Sequence, residues 1–281
     1  MKLSELINQG QNILKKSNIK NANRETIIII KHVIKIKHHE IFLNPNKEIN
    51  YHEYTYILSL FKKRAKRKPI AYIINSKNFY KSEFYVDKNV LIPRPETEHI
   101  IDTTLNIINR SKKLKILDIG IGSGAILLSL LLNLPKSYGI GTDISMNALK
   151  IAKKNINNFK LHNRCNLINT NWAESLESNY FDLLVCNPPY IRSDDIKNLN
   201  KDVINFEPHI ALDGGKNGLE CLTKLLPSAR KCIKSNGSAL FEIGYDQSKE
   251  ALQLIKMNNF KINKVIKDFS KYDRIVLAQA I

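Results

Sequence analysis

Cysteine is scarce in this chain and shows no pattern. Cys165, Cys186, Cys221 and Cys232 are the only four in 281 residues. None stands in a Cys-x-x-Cys pair or another metal-binding spacing, which argues against a zinc site and a disulfide scaffold. They are expected as small, reduced core residues. Long apolar runs are missing too. No stretch approaches the roughly 18 to 20 residues that a bilayer-spanning helix needs, so no membrane segment is expected. The opening residues, Met1-Lys2-Leu3-Ser4-Glu5, contain an early acid and no hydrophobic leader, so a cytoplasmic location is expected. Internal repeats and low-complexity linkers are absent. Acid is in deficit: 26 Asp+Glu face 44 Lys+Arg, a net charge of +18. That balance fits an anionic partner, nucleic acid included. It fits equally a chain so rich in Ile, Asn and Lys that composition alone raises the lysine count.

What remains is ample core material, 43% hydrophobic residues, in a chain sized for one large domain or two modest ones. The charge is uneven. Residues 1–75 carry a net +10 and the other 206 a net +8. The densest run is Lys62-Lys63-Arg64-Ala65-Lys66-Arg67-Lys68, readable as a solvated helix face or as a docking surface.

Residues 1–69 read as helical. Leu3, Leu6, Ile7, Ile13 and Leu14 fall near helical spacing. Residues 27–36 follow a plausible N-cap at Asn23, and residues 51–68 form a longer helix stopped by Pro69. His32, His38 and His39 are expected as packed or exposed side chains rather than metal ligands. Residues 70–92 change character. Ile70–Ile74 and Phe84-Tyr85-Val86 are rich in β-formers, flank a turn at Asn75-Ser76-Lys77-Asn78, and predict a β-hairpin linker. Pro95 then suits a first helical position, with Glu96 and Glu98 at the positive end of a helix running to about Asn109.

From Lys115 the pattern becomes strand, glycine turn, helix. Gly120-Ile121-Gly122-Ser123-Gly124 follows a short strand that bears Asp118. Glycines let backbone approach a ligand closely, and the next helix offers free N–H groups. A second strand ends in Asp143, where a carboxylate can accept ribose hydroxyls. A third, residues 167–172, ends at Trp172, which reads as a core anchor or a pocket wall. The run 181–186 is a buried strand that must stop at Asn187-Pro188-Pro189-Tyr190, because proline lacks an N–H and fixes φ. The Asn187 carboxamide oxygen and the Pro188 carbonyl, side by side at the C-terminal edge of a sheet, suit one planar NH2 group. Residues 191–218 read as a substrate loop. Two last strands, at 260–267 and 274–278, predict an antiparallel pair at the sheet edge.

Together these features resemble S-adenosylmethionine-dependent amino-methyltransferases. Pro69-Ile70-Ala71-Tyr72, Leu91-Ile92-Pro93-Arg94-Pro95-Glu96-Thr97-Glu98, Asn187-Pro188-Pro189-Tyr190-Ile191, Phe206-Glu207-Pro208 and Ala211-Leu212-Asp213-Gly214-Gly215 are similar to the release-factor glutamine N5-methyltransferases, the PrmC/HemK family. The resemblance implies an α/β fold: a seven-stranded Rossmann-like catalytic domain over 93–281, a hairpin linker over 70–92 and a helical, substrate-docking domain over 1–69. It implies S-adenosylmethionine as methyl donor, held by Gly120, Ile121, Gly122, Ser123, Gly124, Asp143, Trp172 and Asn187, with Phe79 near the sulfonium. Asn187, Pro188, Pro189 and Tyr190 would bind the substrate, and Asn187, Pro188 and Tyr190 would be catalytic, Tyr190 holding the amide plane. The implied substrate is the glutamine of the Gly-Gly-Gln motif in peptide chain release factors. A monomer with no metal, no membrane contact and no stable nucleic-acid partner is expected, with Lys62, Lys63 and Arg64 docking an acidic release factor. Two residues depart from the family pattern: Ile121 stands where Thr is usual and Asn171 where Asp is common. The same Asn-Pro-Pro-Tyr chemistry would serve an N6-adenine methyltransferase acting on DNA or RNA, which would give the positive charge a use. A non-catalytic cofactor-binding or ribosome-associated module is a third reading.

Overall fold

The computed structural model describes residues 1–281, the side chain of Phe42 excepted. By contact density the chain divides into two units, residues 1–76 with 200–206, and residues 77–199 with 207–281. Among the described residues no helix is long and apolar enough to cross a membrane.

The first unit is helical: α1 (Leu3–Lys16), α2 (Ala22–Ile34), α3 (His38–Leu43), α4 (Tyr51–Ala65) and α5 (Ile70–Ile74). Apolar residues at helical spacing bring Leu3, Leu6, Ile29, Ile30, Ile57, Leu60 and Phe61 into one core. The four consecutive isoleucines, Ile27 to Ile30, lie within helix α2, three of them buried. Its N-cap is Asn21 rather than Asn23, with no side-chain cap bond. Asn50 caps α4 instead, accepting the Glu53 N–H at 2.8 Å.

Two expectations fail here. Ile70–Ile74, expected as a strand, is the helix α5. Its β-branched residues pack partly against the helical core, and that burial outweighs local β-propensity. Arg64, expected on a docking surface, is 5% exposed. Its guanidinium bonds Glu25, pairs with Asp202 at 2.8 Å and donates to the Lys68 carbonyl at 3.2 Å. Lys62 and Lys63, on the same helix, are exposed. Asp202 lies on the short helix Lys201–Ile204 of the long loop.

The second unit opens with a small hairpin, β1 (Lys77–Phe79) and β2 (Ser82–Phe84), shorter and later than predicted. A 3₁₀ turn at Pro95–Thr97 leads into α6 (Glu98–Ile107). The alternation that follows is β3 (Lys115–Ile119), α7 (Ala125–Asn133), β4 (Tyr138–Asp143), α8 (Met146–Asn158), β5 (Cys165–Asn169), β6 (Phe181–Cys186) and, after α9 (Lys201–Ile204), which belongs to the first unit, α10 (Glu220–Cys232), β7 (Ile233–Glu242), α11 (Ser248–Met257), β8 (Phe260–Lys267) and β9 (Asp273–Ala280). The seven-stranded sheet has the order β5-β4-β3-β6-β7-β9-β8 and is parallel except for β9. The antiparallel edge pair is present as predicted.

Alternation along the strands divides the core. Ile116, Leu183 and Val185 face α6, α7 and α8, while Leu117, Leu184 and Cys186 face α10 and α11. Asn155 of α8, fully buried, ties the linker to the glycine turn. It accepts the Tyr85 N–H at 2.8 Å and donates to the carbonyls of Tyr85 at 2.9 Å and Ser123 at 2.8 Å. Asp118 lies on the α7 face of β3. Its Oδ2 accepts the Leu127 N–H at 3.3 Å, closing one of the open amides in the first turn of α7, which Gly124 cannot cap with a side chain. Its Oδ1 has no hydrogen-bond partner. Burial pushes the carboxyl up to about 7, with the Leu127 N–H opposing and the Asp143 charge adding.

Two outcomes follow. Arg64→Met leaves Glu25 without its cation and Asp202 with only the longer contact to Arg67 at 3.9 Å, and should cost about 3 to 5 kcal/mol in urea unfolding; an unchanged midpoint would show that the Arg64 pairs contribute nothing. Between its ordinary value of 3.8 and about 7, Asp118 holds a proton in the folded state that the unfolded state has lost. Its contribution therefore weakens as pH rises through that window. Asp118→Asn removes the effect, so variant stability relative to the parent should rise between pH 5 and 8.

Candidate active site

The strand order reverses between β3 and β6, since the chain proceeds outward on one side through β4 and β5 and on the other through β7. Loops leaving the C-terminal ends of such neighbours diverge and open a crevice. Ile119 pairs with Cys186 at the last position of that ladder. Gly120 and Asn187, each the next residue, therefore begin the two loops side by side.

A cavity of about 440 Å³ lies there, within the range of small-ligand sites. It is lined by Gly120, Ile121, Gly122, Ser123, Asp143, Trp172, Asn187, Pro188 and Pro189 among the predicted residues. Two predicted residues do not line it. Gly124, at φ +85°, is the N-cap of α7. Tyr190 turns its hydroxyl to Glu242 Oε1 at 3.1 Å.

The glycine turn is built for backbone approach. Gly120 and Gly122 adopt φ +77° and +53°, and no heavy atom stands within 4 Å of where a Cβ would be. The Ile121 side chain goes the other way, into the core, where it occupies the space that a Cβ on Gly141 would need. Asp143 braces the turn: its Oδ2 accepts the Gly122 N–H at 3.0 Å and its Oδ1 the Ser145 N–H at 2.9 Å. Burial raises its pKa, and these backbone donors oppose the rise. With Ile144 also bonding the carboxylate, lone-pair capacity for a further donor remains.

Trp172 is not at a strand end. β5 stops at Asn169, and Trp172 stands in the following turn at φ +50°, on the cavity wall and against the core at once. Asn171 lines the cavity and donates from Nδ2 to Glu174 Oε1 at 2.7 Å. Phe79 closes the wall from β1, 1% exposed.

Thr97, Arg94 and Glu242 escaped assignment. Asn187 Nδ2 donates to Thr97 Oγ1 at 3.1 Å, and the Thr97 hydroxyl donates to Glu242 Oε2 at 2.7 Å. Arg94 lines the cavity and pairs with the buried Glu207 at 2.7 Å; the same carboxylate accepts the Ile92 N–H at 3.0 Å. Thr97 and Arg94 lie in the Pro-Arg-Pro-Glu-Thr-Glu run, where a specific pattern without a stated role was the available signal. Glu242 ends a plain apolar strand and left none. Burial pushes Glu242 up to about 7, with the Thr97 bond, Arg274 and the Tyr190 bond opposing.

These features fit S-adenosylmethionine: an unhindered glycine turn, a carboxylate at the end of the next strand, the aromatic rings of Phe79 and Trp172 in the wall and a cavity of suitable size. Residues 101–216 match the Methyltransferase small domain family, and residues 5–74 the PrmC N-terminal domain family. A release factor glutamine methyltransferase of Caulobacter vibrioides is 39% identical over 238 residues, 85% of this chain and 82% of that one. One of Clostridium acetobutylicum is 32% identical over 280 residues, 99% and 98% of the two chains. A bifunctional methyltransferase of Rickettsia bellii is 33% identical across 98% of this chain, which spans 54% of that longer protein. Among solved structures, a ribosomal protein L11 methylase of Lactobacillus delbrueckii subsp. bulgaricus shares the fold, with a TM-score of 0.51 at 20% identity over 73% of this chain and 89% of that one. The chain belongs to the release factor glutamine methyltransferase family.

Proposed function

We propose that the protein methylates the side-chain amide nitrogen of the Gly-Gly-Gln glutamine in peptide chain release factors, using S-adenosylmethionine. The observation that carries this reading is that Asn187 and Gly120 each follow the last pair of the β3–β6 ladder, Ile119 with Cys186, in a chain of this family. When bound, S-adenosylmethionine supplies an electrophilic methyl group. Gly120, Gly122 and Ser123 would hold it by backbone, Asp143 by its ribose hydroxyls, and Trp172 and Phe79 as walls.

The chain's own task is to make a poor nucleophile usable. An amide nitrogen delocalises its lone pair into the carbonyl. Two acceptors that take its two N–H bonds orient the nitrogen and stabilise the positive charge that develops on it during transfer. Asn187 Oδ1 and the Pro188 carbonyl are those acceptors. The bond from Nδ2 to Thr97 leaves Oδ1 for the substrate. No base is needed before transfer, because the nitrogen becomes acidic only after it, and the proton can leave to water.

Residues 1–69 serve as the substrate-docking domain in this reading. The exposed Lys62 and Lys63 would meet an acidic release-factor surface, whereas Arg64 is internal. An adenine N6-amine could use the same acceptors. The match of residues 5–74 to a PrmC N-terminal domain favours the protein substrate.

Asn187→Ala should lower kcat on a purified release factor by about a hundredfold, while calorimetric affinity for S-adenosylhomocysteine changes little. A variant that methylates at the parent rate would remove the acceptor pair from the mechanism. Lys62→Glu with Lys63→Glu should raise the apparent KM, and salt should weaken the parent's KM more steeply than the variant's. Equal salt slopes would leave these lysines without a docking role.

A further inference from the structure

A carboxamide is nearly symmetric in shape, so packing alone does not decide whether Asn187 shows the cavity an oxygen or an NH2 group. The wrong face would present donors to a substrate that itself only donates. What decides is the hydroxyl of Thr97, which carries one hydrogen and can accept from Asn187 Nδ2 only while that hydrogen points elsewhere. It points to Glu242 Oε2, at 2.7 Å. Above its raised value of about 7 Glu242 is an ionised carboxylate, which accepts and cannot donate, and so fixes the direction of both bonds: Asn187 to Thr97 at 3.1 Å, Thr97 to Glu242. The second oxygen of Glu242 takes the Tyr190 hydroxyl at 3.1 Å, so one side chain secures both ends of Asn-Pro-Pro-Tyr. Glu242 is 1% exposed and lies at the last position of β7, beside β6 in the sheet. A buried carboxylate is costly to retain where an amide or apolar group would fill the same space. Its two hydroxyl donors account for its place.

We propose that Glu242, acting through Thr97, is the positioning residue that sets the direction of the Asn187 carboxamide and so its competence as the substrate's acceptor. The inference rests on the methyl-transfer reading above and adds to it a directional relay from β7 to the reacting group.

The test uses the full-length protein, labelled S-adenosylmethionine and a purified release factor, with S-adenosylhomocysteine affinity measured in parallel. Methyl transfer by the parent protein comes first, since its failure would strike the functional reading and not the relay. Thr97→Val should lower kcat about thirtyfold with inhibitor affinity kept within about twofold, and Thr97→Ser, which restores the hydroxyl, should return kcat to within about threefold of the parent. Glu242→Gln forces one of the two hydroxyls to meet a donor. It should slow turnover at least about tenfold, and in combination with Thr97→Val should slow it no further, because both act on one path. Should Thr97→Val not fold, Thr97→Ala removes the same hydroxyl with less bulk and carries the same expectation. Three results would overturn the proposal: an unimpaired valine or alanine variant, a serine variant as slow as valine, or full additivity of the Glu242 and Thr97 changes.

Discussion

The parallel ladder between β3 and β6 is the constraint on which the site depends. Ile119 opposite Cys186 sets the register, and register in a sheet is all or nothing: a slip by one residue would send every side chain of a strand to the opposite face. Both strands are buried on two faces, with Leu117, Leu184 and Cys186 in one apolar layer and Ile116, Leu183 and Val185 in the other. The two cores therefore hold the register together. Only because they do so does a glycine turn begin beside a proline-stopped strand. The site inherits its precision from apolar packing that takes no part in the chemistry.

Around that ladder the protein keeps carboxylates desolvated, Asp118 and Glu242 fully and Asp143 in part. Asp118 closes the first turn of α7, Asp143 braces the glycine turn, and Glu242 gathers Thr97 and Tyr190. Each is raised in pKa, with desolvation the largest cause, and each faces donors supplied by backbone or by hydroxyls. Their common effect is order. Loop backbone at a sheet edge has no ladder to hold it, and an acceptor at the end of the neighbouring strand takes the ladder's place.

The helical unit shows the other side of charge. Seven residues near the end of α4 carry six cations, and as sequence they form a single basic patch. In the fold they separate, with Lys62 and Lys63 in solvent and Arg64 inside between Glu25 and Asp202. Helical geometry spaces successive residues by about 100°, so a run of like charges must divide between faces. One of those faces is the interior.

Much of the catalytic unit was legible in the residues. β3, α7, β4, β6, α11 and β8 lie where periodicity and breakers put them, because buried parallel strands and their flanking helices are written in local hydrophobic pattern. The glycine turn, Asp143 and Asn187 were readable for a related reason: glycine, an acid at a strand end and two prolines each impose a local conformation or charge. Ile70–Ile74 misled, since five apolar, mostly β-branched residues are compatible with strand or helix and the helical core decides between them. Arg64 as an internal residue, Tyr190 turned to Glu242, and Glu242 itself lay outside local reach. Their partners stand 39, 52 and 145 residues away, in Glu25, Glu242 and Thr97. Hydrogen bonds across such separations leave no period in a sequence. They exist only once the sheet has set its order and brought the ends of β6 and β7 together.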